Sequence, residues 1–472
     1  MNALLALLYL VLGAAIVVFV PVMVEPYVLD YGTVTSGDSA RAVLLCTALA
    51  IPAGIYAYRQ GADGPLLLRL FVAGLLARMI IGAAIFVFRG QDFFGGDALT
   101  YDFFGDAQLR GWAGDKYSQG IADLFIQGAG QGWGMVYMVA GIYQFIGRNM
   151  LAIQLVNAVL GAVTAVIIFL CAYQVFNNLK VARLAGMAVA FYPSLVLWSA
   201  QGLKDGPIVF FLALSILATL KLGEKLSLKY IVVLTCSLLA LLSLRFYVFY
   251  MICVAIGGAF VIGMQKVTVT SFVRQFAAVV LLGIALVYMG VTRSATVQFE
   301  QFGDLQTLQR SRLDLATRAE SGFGSDEDVS TTSGALSTIP LGVVYLLFAP
   351  FPWQVASLRQ SITVPEMIIW WASFPMLVLG IWFSIRYRLR MISPILIFTV
   401  MLTLAYSMFQ GNVGTAYRQR AQLLVFYFIF VAVGFVLLKE KREEKKRLAL
   451  AARTELLAQQ AATFKARRGR SA

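Results

Sequence analysis

The chain has 472 residues, 60% of them hydrophobic, with a mean hydropathy of +0.79 and a formal net charge of +14. That composition excludes a soluble globular protein and fits a polytopic membrane protein without room for a separately folded soluble domain. Histidine is absent, which excludes histidine general bases, Ser-His-Asp triads and histidine-ligated metals, so any catalysis rests on Asp, Glu, Lys, Arg, Tyr or backbone groups.

Apolar runs long enough to cross about 30 Å of hydrocarbon recur along the chain. Spans are expected near 3–24, 42–58, 69–89, 149–173, 184–200, 207–222, 229–244, 246–265, 275–292, 364–385, 391–408 and 421–438. The first run, Ala3 to Val24, has no Lys or Arg before it and exceeds a signal core in length, so it is expected to be a span and not a cleaved leader. Cys46, Cys171, Cys236 and Cys253 all fall inside apolar runs with no metal-type spacing, so neither disulfides nor a thiolate metal site is expected.

Two weaker apolar segments, 133–147 and 338–355, decide the topology. With twelve spans and both termini cytoplasmic, the inside loops are short and basic: Arg59 and Arg69, Lys180 and Arg183, Lys221 to Lys229, Lys266 and Arg274, Arg386 to Arg390. Counting both weak segments as spans throws several of these loops outside, against the positive-inside tendency. Both are therefore expected to lie in or dip into the outer interface. The expected fold is an all-α bundle of about twelve transmembrane helices, with interfacial helices in two large outer loops, 90–148 and 293–363. The second loop holds an amphipathic stretch, Val297 to Arg318, and a Gly/Ser/Thr/acidic piece, Ser321 to Gly334, of the kind that covers a site.

Residues 1–438 read as one transmembrane domain and 439–472 as a basic cytoplasmic tail with eleven Lys/Arg against four Glu. Such a tail suits anionic lipid headgroups in a plasma membrane, here a bacterial inner membrane. The remaining basic residues are scattered, which argues against nucleic acid as a partner.

The polar residues that carry chemistry collect on the outer side. Arg78 is the one charge near mid-bilayer depth in its span, where charge is costly and is functional or paired. Gly95-Gly96-Asp97 opens a helix-compatible run, making Asp97 a natural N-cap, with Asp102, Asp106 and Arg110 following at i, i+4 and i+8. The segment reads either as a capped interfacial helix with one Asp–Arg pair or as a surface carboxylate placed to act as general base on a hydroxyl. Lys204 and Asp205 share a tight turn and pair with each other or face a ligand. Arg245, in an outer hairpin too short to be solvated, needs an anionic partner. Arg418 and Arg420, after Gly411 and Gly414, either chelate phosphate oxygens or snorkel at the interface. Glu366 near the outer end of its span is a counter-charge for Arg78 or a second carboxylate. A carboxylate beside several phosphate-binding cations suits a lipid-linked phosphosugar, with the cations neutralising charge on the leaving phosphate.

The motif Gly96-Asp97-Ala98-Leu99-Thr100-Tyr101-Asp102, with Arg110-Gly111-Trp112 downstream and Ala190-Phe191-Tyr192-Pro193-Ser194, Ser199 and Lys204-Asp205 in the middle of the chain, resembles the membrane-embedded glycosyltransferases of the C-type fold. That group includes the protein O-mannosyltransferases and the aminoarabinose lipid A transferases. The resemblance covers the first half of the chain and departs in two ways: the motif follows the third span and not the first, and the acidic pair is spaced and not adjacent. It implies a polyprenyl-phosphate sugar donor, a glycan, lipid or protein acceptor, and Asp97 as catalytic base with Asp102 as second choice. The cations Arg78, Lys204, Arg245, Arg418 and Arg420 then serve the phosphate, and Tyr101, Asp205 and Glu366 are secondary. No metal motif is present, and the cofactor is left unassigned. Two other readings remain: an O-antigen or exopolysaccharide polymerase, which shares the span count and outer arginines, and a lipid-linked oligosaccharide flippase or other transporter, for which midplane charges and related halves are expected.

Overall fold

A computed structural model describes residues 36–88, 96–129, 132–263, 269–317, 321–355 and 358–468, with part of 11–19. Most of the expected span 3–24 and the Phe93 to Gly95 lead-in lie outside those residues. The described chain is all-α. Its one pairing of extended backbone is an isolated bridge between Gly322 and Asn412.

The first helices are α1 (Ser36–Tyr58), α2 (Gly64–Val87), α3 (Asp97–Trp112), α4 (Lys116–Ala129), α5 (Trp133–Ile146) and α6 (Met150–Phe176). The most enclosed is α6, apolar on every face, with α1, α2 and α7 (Leu179–Phe191) packed around it. The expected span at 184–200 is broken: α7 ends at Phe191, α8 (Pro193–Ser199) follows, and the two are bent by 54°. Pro193 is the cause, because its ring drives the preceding residue out of the helical region; Tyr192 is extended at φ −64°, ψ 125°.

Next come α9 (Asp205–Glu224), α10 (Leu228–Leu244), α11 (Phe246–Ile262), α12 (Val269–Tyr288), α13 (Val291–Phe302), α14 (Leu305–Thr317) and α15 (Thr332–Phe348). The chain closes with α16 (Val364–Phe409), α17 (Val413–Gln419) and α18 (Ala421–Arg468). Among the described residues six helices are long and apolar enough to cross a membrane, or seven when α7 and α8 count as one broken span. The protein is therefore a multi-pass membrane protein. The expected count of twelve is not reached by this measure: 3–24 lies mostly outside the described residues, α10 and α11 are each 17 residues, 275–292 contributes only the short apolar stretch Val279–Tyr288, and the two expected spans 364–385 and 391–408 form one 46-residue helix.

That helix doubles back. Only Arg388 leaves helical geometry, at φ −136°, ψ 16°. Yet Glu366 accepts from Tyr417 at 2.8 Å and Tyr406 donates to Gln422 at 2.8 Å. Forty residues of straight helix would separate Glu366 from Tyr406 by about 60 Å, so the two arms fold beside each other at the arginine run. The first arm meets α18 closely: a Cβ on Gly380 would sit 1.9 Å from the Phe430 carbonyl, and one on Gly434 would sit 2.0 Å from that of Met376. Only glycine permits that approach, the small-residue packing by which helices associate in lipid.

The loops sort to two ends of the bundle. Lys180 meets Glu440 at 3.2 Å and Arg183 meets Asp63 at 3.8 Å, joining two of the basic loops and the C-terminal tail. At the far end of α9, 20 residues or about 30 Å away, the loops carrying Asp97, Lys204, Arg245 and Arg418 converge.

Candidate active site

Asp97, Tyr101, Lys204, Asp205, Arg245 and Arg418 gather around one open pocket of about 470 Å³. Asp97 stands in the first turn of α3. The N-cap position belongs to Gly96, with no side-chain cap, so the expected capping role of Asp97 is replaced: its carboxylate accepts from Arg418 Nη1 at 2.5 Å. Asp205 opens α9, fully buried, and its expected partner Lys204 is displaced by two arginines. Arg418 Nε donates to Asp205 Oδ2 at 2.6 Å, with Nη2 at 2.6 Å from the same oxygen, and Arg245 Nη2 lies 3.5 Å from Oδ1. Both carboxylates sit at helix N-termini, where the peptide dipoles favour negative charge.

Arg245 is held by local chain geometry. It is the single extended residue between α10 and α11, at φ −159°, ψ 90°, and the turn delivers its side chain inward. Nη1 reaches the Tyr406 hydroxyl at 3.3 Å, and the guanidinium lies 5.8 Å from the centre of the Tyr247 ring. Its Nε is buried without a hydrogen-bond partner among the described residues.

The side chain of Lys204, beside these groups, has no hydrogen bond or ion pair among the described residues. Burial, reinforced by the Arg245 charge, pushes its ammonium down to about 7 against the pull of Asp205 and Asp97. Gly132 makes room for it: the residue has φ +81°, and a Cβ there would lie 3.0 Å from Lys204 Nζ and 3.4 Å from the Tyr101 hydroxyl. Two carboxylates and three cations leave the cluster with one positive charge in excess, which suits an anionic ligand and above all a phosphate. Among the described residues no group of three His, Cys, Asp or Glu converges here.

Four of the sequence-derived residues lie elsewhere. Asp102 is five positions from Asp97, about 140° around α3. It accepts from Arg148 Nη2 at 2.5 Å and from the Tyr143 hydroxyl at 2.5 Å, tying α3 to α5. The expected Asp106–Arg110 pair forms at 2.8 Å. Arg78 is fully buried and serves backbone: it donates to the carbonyls of Gly74, Ala190 and Val189 at 2.9, 2.8 and 3.2 Å, and to Ser199 Oγ at 2.8 Å. The break at Pro193 leaves the end carbonyls of α7 without helical partners, and the guanidinium satisfies them. Arg420 does the same for the end of α15, donating to Leu347 and Ala349 at 2.8 and 2.7 Å. Glu366 is paired with Tyr417 and not with Arg78.

The sequence reading missed Tyr247, Tyr406, Phe125 and Leu315, three of which line the pocket while Tyr406 holds Arg245. It also missed Arg312, a buried arginine of α14 that donates to Met408 and Gln410 at 2.9 Å and so docks the second outer loop on the end of α16. Only its place on the apolar face of an amphipathic helix hinted at that role.

Comparison with known proteins now bears on this geometry. Residues 131–289, about a third of the chain, match the family model of dolichyl-phosphate-mannose-protein mannosyltransferases. Over that stretch the chain is similar to a family of membrane glycosyltransferases. The matched stretch contains Lys204, Asp205 and Arg245, while Asp97 and Arg418 reach the same pocket from outside it. No curated protein matches the chain. A solved structure similar to it is the archaeal oligosaccharyltransferase AglB from Archaeoglobus fulgidus, in complex with an inhibitory peptide and a dolichol-phosphate. The identity is 14% and the TM-score 0.40 over 68% of this chain and 44% of that one, so this chain spans less than half the length of that protein.

Proposed function

We propose that this membrane protein is a glycosyltransferase that moves a sugar from a polyprenyl-phosphate donor to a hydroxyl of a glycan, lipid or protein acceptor. The observation that carries the reading is the pocket in which Arg418 bridges two carboxylates beside Lys204, whose ammonium has no partner among the described residues. Lys204 and Arg245 hold the donor phosphate. Asp97, the more open carboxylate, takes the proton from the acceptor hydroxyl as its oxygen attacks the anomeric carbon. The bond from that carbon to the phosphate oxygen breaks, the electron pair leaves with the polyprenyl phosphate, and the sugar is transferred with inversion. Asp205 keeps both arginines aimed at the pocket, and Tyr101 lines its wall.

The site is assigned to the extracytoplasmic face of a bacterial inner membrane, with both termini and the 439–472 tail cytoplasmic. Support comes from the basic loops at the opposite end of α9. Synthesis of cell-surface polysaccharide is the process that such a face and donor fit.

The test is an Asp97→Asn variant that inserts normally, assayed for sugar transfer from a polyprenyl-phosphate sugar. Loss of transfer with donor binding retained supports Asp97 as base. Undiminished turnover overturns that assignment and moves the polymerase reading forward.

A further inference from the structure

At the end of the bundle opposite the pocket, a second cavity of about 260 Å³ opens along α18, floored by Met376, Phe435 and Leu438 and rimmed by Lys439, Arg442, Glu443 and Lys446. Eighteen helical residues, 421–438, separate it from the candidate active site, about 27 Å along the axis. Apolar and basic residues fall on a single stripe: Phe435, Leu438, Lys439, Arg442 and Lys446 follow one another at steps of three, one, three and four. The stripe passes from hydrocarbon into headgroup depth where its character changes.

The rim carboxylate Glu443 and the nearby Glu440 are both engaged. Glu440 meets Lys180 at 3.2 Å and Glu443 meets Lys439 at 4.0 Å. Arg442 and Lys446 have no ion-pair partner among the described residues. Two uncompensated cations above an apolar floor, at the depth where lipid phosphates lie, fit a ligand whose upper part is anionic and whose lower part is hydrocarbon.

We propose that this cavity is a binding site for an anionic phospholipid, its phosphate held by Arg442 and Lys446 and its acyl chain laid over Met376 and Phe435. The site is independent of the transferase reading, since no residue of it approaches Asp97 or Lys204.

Native mass spectrometry of the purified full chain, in a neutral detergent with phosphatidylglycerol or phosphatidylcholine added, tests it. One phosphatidylglycerol is retained per chain in preference to phosphatidylcholine, and Arg442→Gln with Lys446→Gln weakens retention about tenfold, the scale of one lost charge-assisted contact. Lys441→Gln with Arg447→Gln removes the same charge from positions about 100° and 140° around the helix from Arg442 and leaves retention unchanged. Equal weakening by both pairs, or no preference between the two lipids, overturns the site in favour of diffuse attraction to a basic tail. Both pairs lie on exposed helix surface, and Arg442→Lys, which keeps the charge, retains the lipid.

Discussion

Arg418 holds Asp97 and Asp205 at once, 2.5 and 2.6 Å from their carboxylate oxygens, although Asp97 lies 321 positions away in the sequence. The planar guanidinium makes this possible: one edge engages Asp205 while Nη1 turns to Asp97. A lysine presents a single point of charge and cannot span both. Arg418→Lys is therefore expected to lower kcat/KM on the order of a hundredfold while the protein inserts and melts normally. Transfer kinetics beside a thermal melt check this; retention of more than half the activity would remove the bridge from the mechanism.

Asp97 and Asp102 are separable by experiment because they belong to different networks. Asp97→Asn should reduce turnover by about 10²- to 10⁴-fold, the range for loss of a general base. Asp102→Asn should spare turnover and instead cost about 1–3 kcal/mol of stability, by leaving the buried Tyr143 hydroxyl and Arg148 poorly matched. A side-by-side measurement of kcat and melting temperature distinguishes them, and a large kcat loss with unchanged melting in Asp102→Asn reverses the assignment.

The apolar runs made the all-α membrane fold readable from the sequence, and the loop sequences indicated that residues near 97, 204, 245 and 418 share one side of the protein. Direction within a helix was not readable. Arg418 and Arg420 are two residues apart, about 200° around the helix, so one faces the pocket while the other turns to the carbonyls of Leu347 and Ala349. Asp97 and Asp102 diverge for the same reason. Arg78 was misread because its partners are carbonyls exposed by the helix break at Pro193; a charge pattern carries no trace of a backbone acceptor. The join of α16 was hidden similarly, since helical dihedrals continue on both sides of Arg388 and only the tertiary partners of Glu366 and Tyr406 reveal the return.

Arg78 consequently behaves as a structural residue. Arg78→Met would strand the buried carbonyls of Val189 and Ala190, each worth about 1–3 kcal/mol unsatisfied, and remove the donor to Ser199 Oγ. The expected outcome is loss of folded protein on detergent extraction. In whatever fraction survives, the KM for donor should be unchanged. A variant that folds normally but has a sharply raised donor KM would restore Arg78 to the substrate site.

Lys204 makes donor binding depend on pH. Its ammonium loses its proton near 7 in the empty pocket, because burial and Arg245 disfavour the charge. The free-enzyme group is charged below that value and neutral above it, so phosphate binding that uses the charge weakens as pH rises from 6 to 8. Bound phosphate, being anionic, raises the group's pKa in turn, and the effect therefore falls on donor KM and kcat/KM more than on kcat. Lys204→Arg keeps a positive charge throughout this range and should flatten the profile. Donor KM measured between pH 6 and 8 for both proteins decides the matter: a wild-type profile as flat as that of the arginine variant would mean that Lys204 does not contact the phosphate.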